Sequence, residues 1–207
     1  MKDVVIIGAG MAGLLAGAIM RQRVSRIVEK KKQLPNNHNA LLRFRSKKVS
    51  EALNIPFKEV LMDKAVLTTG NPMRDKLQYS KKCTGKYTNN RSIKEEFGAT
   101  RYIAPADFIT QMANCVKGKI QYGVDVDRDF ITENNKENII ISTMPMAFLM
   151  DILYPDQYPD FGKDSIFNFV PGYTCSMELK SSEAYTTLYI PEIGENKLYN
   201  RQGGRRN

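Results

Sequence analysis

The segment Asp3-Val-Val-Ile-Ile-Gly8-Ala-Gly10-Met-Ala-Gly13 constrains this chain more than any other. Its β-branched run shows no polar alternation, which fits a parallel strand buried on both faces. The run stops at Gly8. From Met11 to Arg21 come Met, Ala, Leu and Ile with small residues between them, a helical composition whose glycines permit close packing on a sheet. Val24 to Glu29 reads as a second strand. Strand, glycine turn, helix and strand in that order make a βαβ unit, so the predicted fold class is α/β with a Rossmann-like parallel sheet.

The spacing Gly8-x-Gly10-x-x-Gly13, with Gly17 beyond it and Glu29 ending the next strand, has a chemical reading. Gly8 allows the tight turn, Gly10 lets the backbone approach a pyrophosphate with no Cβ in the way, and Gly13 brings helix and strand together. The helix N-terminus offers N–H donors and a positive partial charge to phosphates. Glu29 is placed to accept both ribose hydroxyls of an adenosine. Its carboxylate repels a 2′-phosphate, which disfavours NADP and leaves FAD and NAD open. A bare strand-to-helix turn beside a solvent-facing glutamate leaves the three glycines unexplained.

Composition narrows the class. With 207 residues, 42% of them hydrophobic, the chain is long enough for one substantial core or for a large domain with a smaller insertion. No run reaches the roughly 18 to 20 apolar residues of a membrane span. Lys2 before an apolar stretch is reminiscent of a signal peptide, but Asp3 and the ordered glycines fit a strand and turn better. Cys83, Cys115 and Cys175 are odd in number and far apart, against a disulfide framework or a closed zinc site, and a cytoplasmic location is expected. The net charge of +9 suits phosphate, nucleic-acid or anionic-lipid partners, yet the basic residues are scattered and match no nucleic-acid motif, and a solvated basic surface is the favoured reading.

Farther along, Leu34 to Asn39 reads as a loop, Lys47 to Leu53 as a short helix ending before Pro56, and Phe57 to Thr69 as β-rich. Gly70 to Arg91 is polar, with turns at Gly70-Asn71-Pro72 and Thr88-Asn89-Asn90. Pro105 to Val116 is predicted helical, with Phe108, Ile109, Met112 and Val116 on one face. Lys119 to Val126 alternates as a strand, and Asn138 to Thr143 is an apolar strand that resumes the parallel sheet. A helix over Ala147 to Leu153, strands over Phe167 to Tyr173 and Ala184 to Ile190, and a loose tail from Asn200 follow. The organisation is a nucleotide-binding part over 1–48, a β-rich insertion on the substrate side over 49–104, a return over 105–153 and a β-rich C-terminal segment over 154–207.

Val4-Val-Ile-Ile-Gly-Ala-Gly-Met-Ala-Gly-Leu-Leu-Ala-Gly17, together with Ile27-Val-Glu-Lys30, resembles the N-terminal fingerprint of the glutathione reductase-like FAD superfamily, including its amine-oxidase and UDP-galactopyranose-mutase branches. The resemblance implies an FAD cofactor. It also implies a valine whose backbone packs on the adenine, for which Val126 is the counterpart, and an apolar strand ending in small residues near the cofactor, for which Ile139 to Pro145 with Thr143 is the counterpart. Such flavoproteins carry a C-terminal Gly-Asp motif that is not visible after Thr186, Gly194-Glu195 being a poor substitute, so the chain reads either as a shortened form or as one that binds only the ADP portion tightly.

The expected cofactor-binding positions are therefore Gly8, Ala9, Gly10, Met11, Ala12, Gly13, Glu29, Lys30, Arg45, Val126 and Thr143. Arg43 and Arg45 share a face of an extended segment, suited to clamping a phosphate or to lying exposed on an edge strand. His38, the one histidine, fits a surface loop better than an acid or base. Tyr173, Tyr185 and Tyr189 fit core packing better than a flavin pocket. No nucleophilic triad or metal cluster can be assigned, so a cofactor has to carry any reaction. The functional expectation is an FAD-binding oxidoreductase-like protein with a small-molecule or nucleotide-like substrate. An NAD-dependent dehydrogenase, or a non-catalytic nucleotide- or nucleic-acid-binding protein, are the alternatives.

Overall fold

The structure is a computed structural model that describes residues 2–34, 42–66, 70–84, 86–88, 96–155, 185–189 and 199–201. The chain forms two compact units. Described residues 2–34, 47–57 and 104–155 make the first, and the rest make the second.

In the first unit, β1 (Val4–Ile7) is buried at all four positions, so both faces of the sheet are covered there, and it lies between parallel neighbours on both sides. They are β2 (Val24–Glu29) on one side and, on the other, the later strand Ile139–Ser142. The helix α1 (Met11–Ile19) joins β1 to β2 and buries Gly13, Leu14, Gly17 and Ala18. A Cβ at Gly17 would stand 2.6 Å from Ile27 Cδ1, so glycine here sets how closely α1 lies on the sheet.

The short helix α2 (Lys48–Leu53) stops where Asn54 adopts a left-handed conformation (φ 54°, ψ 40°) ahead of Pro56. A helix over Phe108–Cys115 packs on α1 through the predicted apolar face, with Phe108, Ile109, Met112 and Val116 buried. Phe57 meets Phe108 edge to face, 5.2 Å between ring centroids. Burial of each large side chain in this core, among them Ile6, Leu14, Ile27 and Phe108, contributes roughly 1.5–3 kcal/mol.

The second unit holds β3 (Arg43–Phe44), β4 (Lys58–Val66), α3 (Pro72–Thr84), β5 (Glu96–Ile103) and two late strands, Tyr185–Tyr189 and Tyr199–Arg201. The helix over Phe108–Cys115 is α4, and after it come β6 (Ile120–Tyr122), α5 (Arg128–Glu137), β7 (Ile139–Ser142), α6 (Met146–Leu153), β8 (Tyr185–Tyr189) and β9 (Tyr199–Arg201). The first sheet is fully parallel in the order β6-β2-β1-β7, and the second is mixed in the order β3-β5-β4-β8-β9. Along β4, Val60 and Met62 are buried while Glu59 and Leu61 are exposed, the alternation of a sheet with one solvated face.

Four expectations need correction. The predicted strand Lys119 to Val126 pairs only over Ile120–Tyr122, because Gly123 turns the chain through a left-handed conformation (φ 72°). The polar stretch after Gly70 contains the helix α3, started by Pro72 at its first position and by the Asn71 side chain accepting from the Arg74 amide at 3.1 Å. α5 was not anticipated. Asp127 caps it, accepting from the Phe130 amide at 2.8 Å, and Arg26 on β2 holds it by lying 5.1 Å over the Phe130 ring and bonding to Asn134. Asn200 and Arg201, expected in a loose tail, pair antiparallel with β8. The strand expected over Phe167 to Tyr173 lies outside the described residues, as do His38, Cys175, Tyr173 and Gly194-Glu195. Tyr185 and Tyr189 fall in β8.

Candidate functional site

The order β6-β2-β1-β7 fixes where a site belongs. From β1 the chain proceeds to β2 and β6 on one side and returns to β7 on the other, so the crevice at the carboxyl ends of β1 and β7 is the topological switch point. Gly8 and Thr143 are the residues that follow those two strands. They are bound together: the Thr143 amide and hydroxyl each donate to the Ile7 carbonyl at 2.9 Å.

The glycine turn is shaped by contacts within the protein at two of its three positions. Gly8 has φ +97°, and a Cβ there would stand 2.5 Å from Thr143 Oγ1. A Cβ at Gly13 would overlap the Gly8 carbonyl oxygen. Gly10 differs. Its backbone is extended (φ −71°, ψ −177°), a conformation open to any residue, and a Cβ there would meet no protein atom within 4 Å. The fold itself thus gives no reason for glycine at position 10, whereas a ligand lying on that backbone does.

Gly10 is also the N-cap of α1, and no side chain caps this helix or places an acid in its first turn. The amides of the first turn and the positive end of the helix dipole are left for an anion. Glu29, at the end of β2, is fixed by the backbone. Its Oε2 accepts from the Ala9 amide at 2.8 Å and its Oε1 from the Lys31 amide at 3.0 Å. Each oxygen keeps lone-pair capacity for a hydroxyl donor.

These groups converge on a cavity of about 650 Å³ within the first unit. Of the expected positions, Gly8, Gly10, Glu29, Lys30, Val126 and Thr143 line it. Val126 is brought there by the turn at Gly123, after which the Val124 amide donates to the Glu29 carbonyl at 3.0 Å and the segment runs along the rim. Ala9 is buried and contributes its amide to Glu29, while Met11 and Ala12 occupy the first turn of α1 and Gly13 serves helix packing. Arg45 belongs to the second unit, just past β3. There the Glu96 carboxyl is held below its usual range, first by the hydrogen bond from Arg101 (2.7 Å) and then by the charges of Arg101, Lys64 and Arg45. Arg43 donates to Met62 Sδ in the same unit.

Sequence reasoning missed Asp125, Phe148 and Asp151, which also line the cavity. Asp125 follows the Gly123 turn, and the other two share a face of α6. Their only signal in the sequence was proximity to predicted strand ends. Among the described residues no cluster of His, Cys, Asp and Glu could hold a metal, and no helix is long and apolar enough to cross a membrane.

No protein-family profile and no curated protein sequence matches the chain. Among solved structures it is similar to 2-methyl-3-hydroxypyridine-5-carboxylic acid oxygenase, at 15% identity and a TM-score of 0.35, over 59% of this chain and 32% of that one. It is similar to CtdE in complex with FAD at 15% identity and a TM-score of 0.33, over 62% of this chain and 31% of that one. The rebeccamycin biosynthetic enzyme RebC with reduced flavin matches at 15% identity and a TM-score of 0.32, over 61% of this chain and 26% of that one. The chain spans about a third or less of the length of these proteins.

Proposed function

We propose that the first unit binds FAD through its ADP half and that the chain is an FAD-dependent oxidoreductase-like protein. The carrying observation is Gly10, a glycine that lines the cavity, caps α1 and has no protein neighbour to require it. The Gly10 backbone and the first-turn amides would hold the pyrophosphate, and Glu29 would accept hydrogen bonds from the ribose hydroxyls. Val124 and Val126 supply apolar wall for the adenosine. Bound flavin would supply hydride and electron transfer, which no assigned side chain provides. The chain's own residues bind and orient it.

Within this reading the amine-oxidase and UDP-galactopyranose-mutase branch is favoured by the fingerprint from Val4 to Lys30, and the substrate is a small amine or nucleotide-like molecule. The test is direct. Protein purified after expression with added FAD should carry a flavin absorption spectrum, and the stripped protein should bind FAD in preference to NADH. Colourless protein that takes up neither sinks the proposal, and preferential NADH binding replaces it with a dehydrogenase.

A further inference from the structure

We propose that Asp125 is a specificity residue of the cavity: by holding the Lys30 ammonium, it denies that cation to a phosphate on the adenosine ribose. This rests on the reading of the cavity as an adenine-dinucleotide site.

Lys30 Nζ lies 2.9 Å from Asp125 Oδ2, and both side chains are 76% exposed. So exposed a pair contributes little to folding. Nor is it needed to join its two segments, because backbone bonds already do so, from the Val124 amide to the Glu29 carbonyl (3.0 Å) and from the Gly123 amide to the Lys31 carbonyl (3.2 Å). What the pair does is place the ammonium against Asp125 at the rim of the cavity.

Among the described residues lining the cavity, the acids are Glu29, Asp125 and Asp151 and the one base is Lys30. In a chain of net charge +9, this rim is locally acidic. Ribose hydroxyls are neutral donors and suit Glu29. A ribose phosphate brings roughly two negative charges, as phosphate monoesters do near neutral pH. Beside Glu29 it would meet a carboxylate with the ammonium already engaged by Asp125. A lysine stem is flexible, so without Asp125 the ammonium is free to turn toward a phosphate beside Glu29.

The probes are ADP-ribose and its 2′-phosphorylated form, titrated calorimetrically into the full chain. Wild type should bind ADP-ribose more tightly. Asp125→Asn and Asp125→Ser should each raise the affinity for the phosphorylated probe relative to ADP-ribose by about five- to tenfold, the scale of one charge contact screened by water. Adding Lys30→Gln should reverse the gain. If wild type binds ADP-ribose but neither Asp125 variant changes the ratio, the role of Asp125 is overturned while the site stands. A gain that persists without Lys30 also overturns it. Failure of wild type to bind ADP-ribose overturns the site and the proposal together.

Discussion

The amide of Ala9 donates to Glu29 Oε2 at 2.8 Å, so the turn that ends β1 and the carboxylate that ends β2 are locked to each other across the sheet. A residue that reads from sequence as a ligand contact is thereby also part of the fold. Glu29→Ala should lose both roles. Loss of the charge-assisted bond to the part-buried Ala9 amide should cost about 1.5–3 kcal/mol by urea unfolding, water replacing the bond to the exposed Lys31 amide. The affinity for FAD or ADP-ribose should fall at least about tenfold, as 1.4 kcal/mol corresponds to a factor of ten. Glu29→Gln keeps one acceptor and should lie between the two.

Gly13 and Gly17 should respond as packing positions. A methyl at Gly13 collides with the Gly8 carbonyl, which is backbone and cannot swing aside, so Gly13→Ala should destabilise by about 3 kcal/mol or more. At Gly17 the obstacle is the terminal methyl of the Ile27 side chain, 2.6 Å away, rather than backbone, so Gly17→Ala should cost about 1–2 kcal/mol. Thermal and urea melts of the two variants should rank in that order.

Thr143→Val removes the hydroxyl bond to the Ile7 carbonyl but leaves that oxygen bonded to the Thr143 amide. The hydroxyl's longer contact to the Gly8 carbonyl (3.4 Å) goes with it, so the loss should be about 1 kcal/mol, and Thr143→Ser should recover most of it.

Glu96 should make stability depend on pH. Its folded-state pKa is depressed, chiefly by the bond from Arg101, so its contribution is present above the ordinary glutamate range and is lost as pH falls through the depressed value. The urea midpoint of wild type should exceed that of Glu96→Gln at neutral pH. The gap should close on acidification.

The βαβ unit was legible because its signals are local: an uninterrupted β-branched run, glycines at fixed spacing and an acid at a strand end. The helix α4 was legible from apolar residues at helical spacing, and α6 was expected over Ala147 to Leu153. α5 was not, because it has no buried residue to make a stripe, although Asp127 and Lys136 marked its two ends. The strand at Lys119 was read too long, since alternation continues through Val126 while Gly123 ends the pairing. In the site, Gly10 and Glu29 could be read from sequence. The partnership of Lys30 with Asp125 could not, since only the pairing of β2 with β6 brings residues 95 positions apart together.

Gly10 offers the most direct test of FAD binding in this cavity, because its two possible reasons for being glycine separate cleanly. Wild type and Gly10→Ala should be melted and then titrated with FAD by calorimetry. The expected result is an unchanged or slightly raised melting temperature, since the added methyl meets no protein atom, together with one FAD bound per wild-type chain and an affinity lowered at least about tenfold in the variant. Equal FAD affinities in the two proteins, or no FAD binding by wild type, would contradict it.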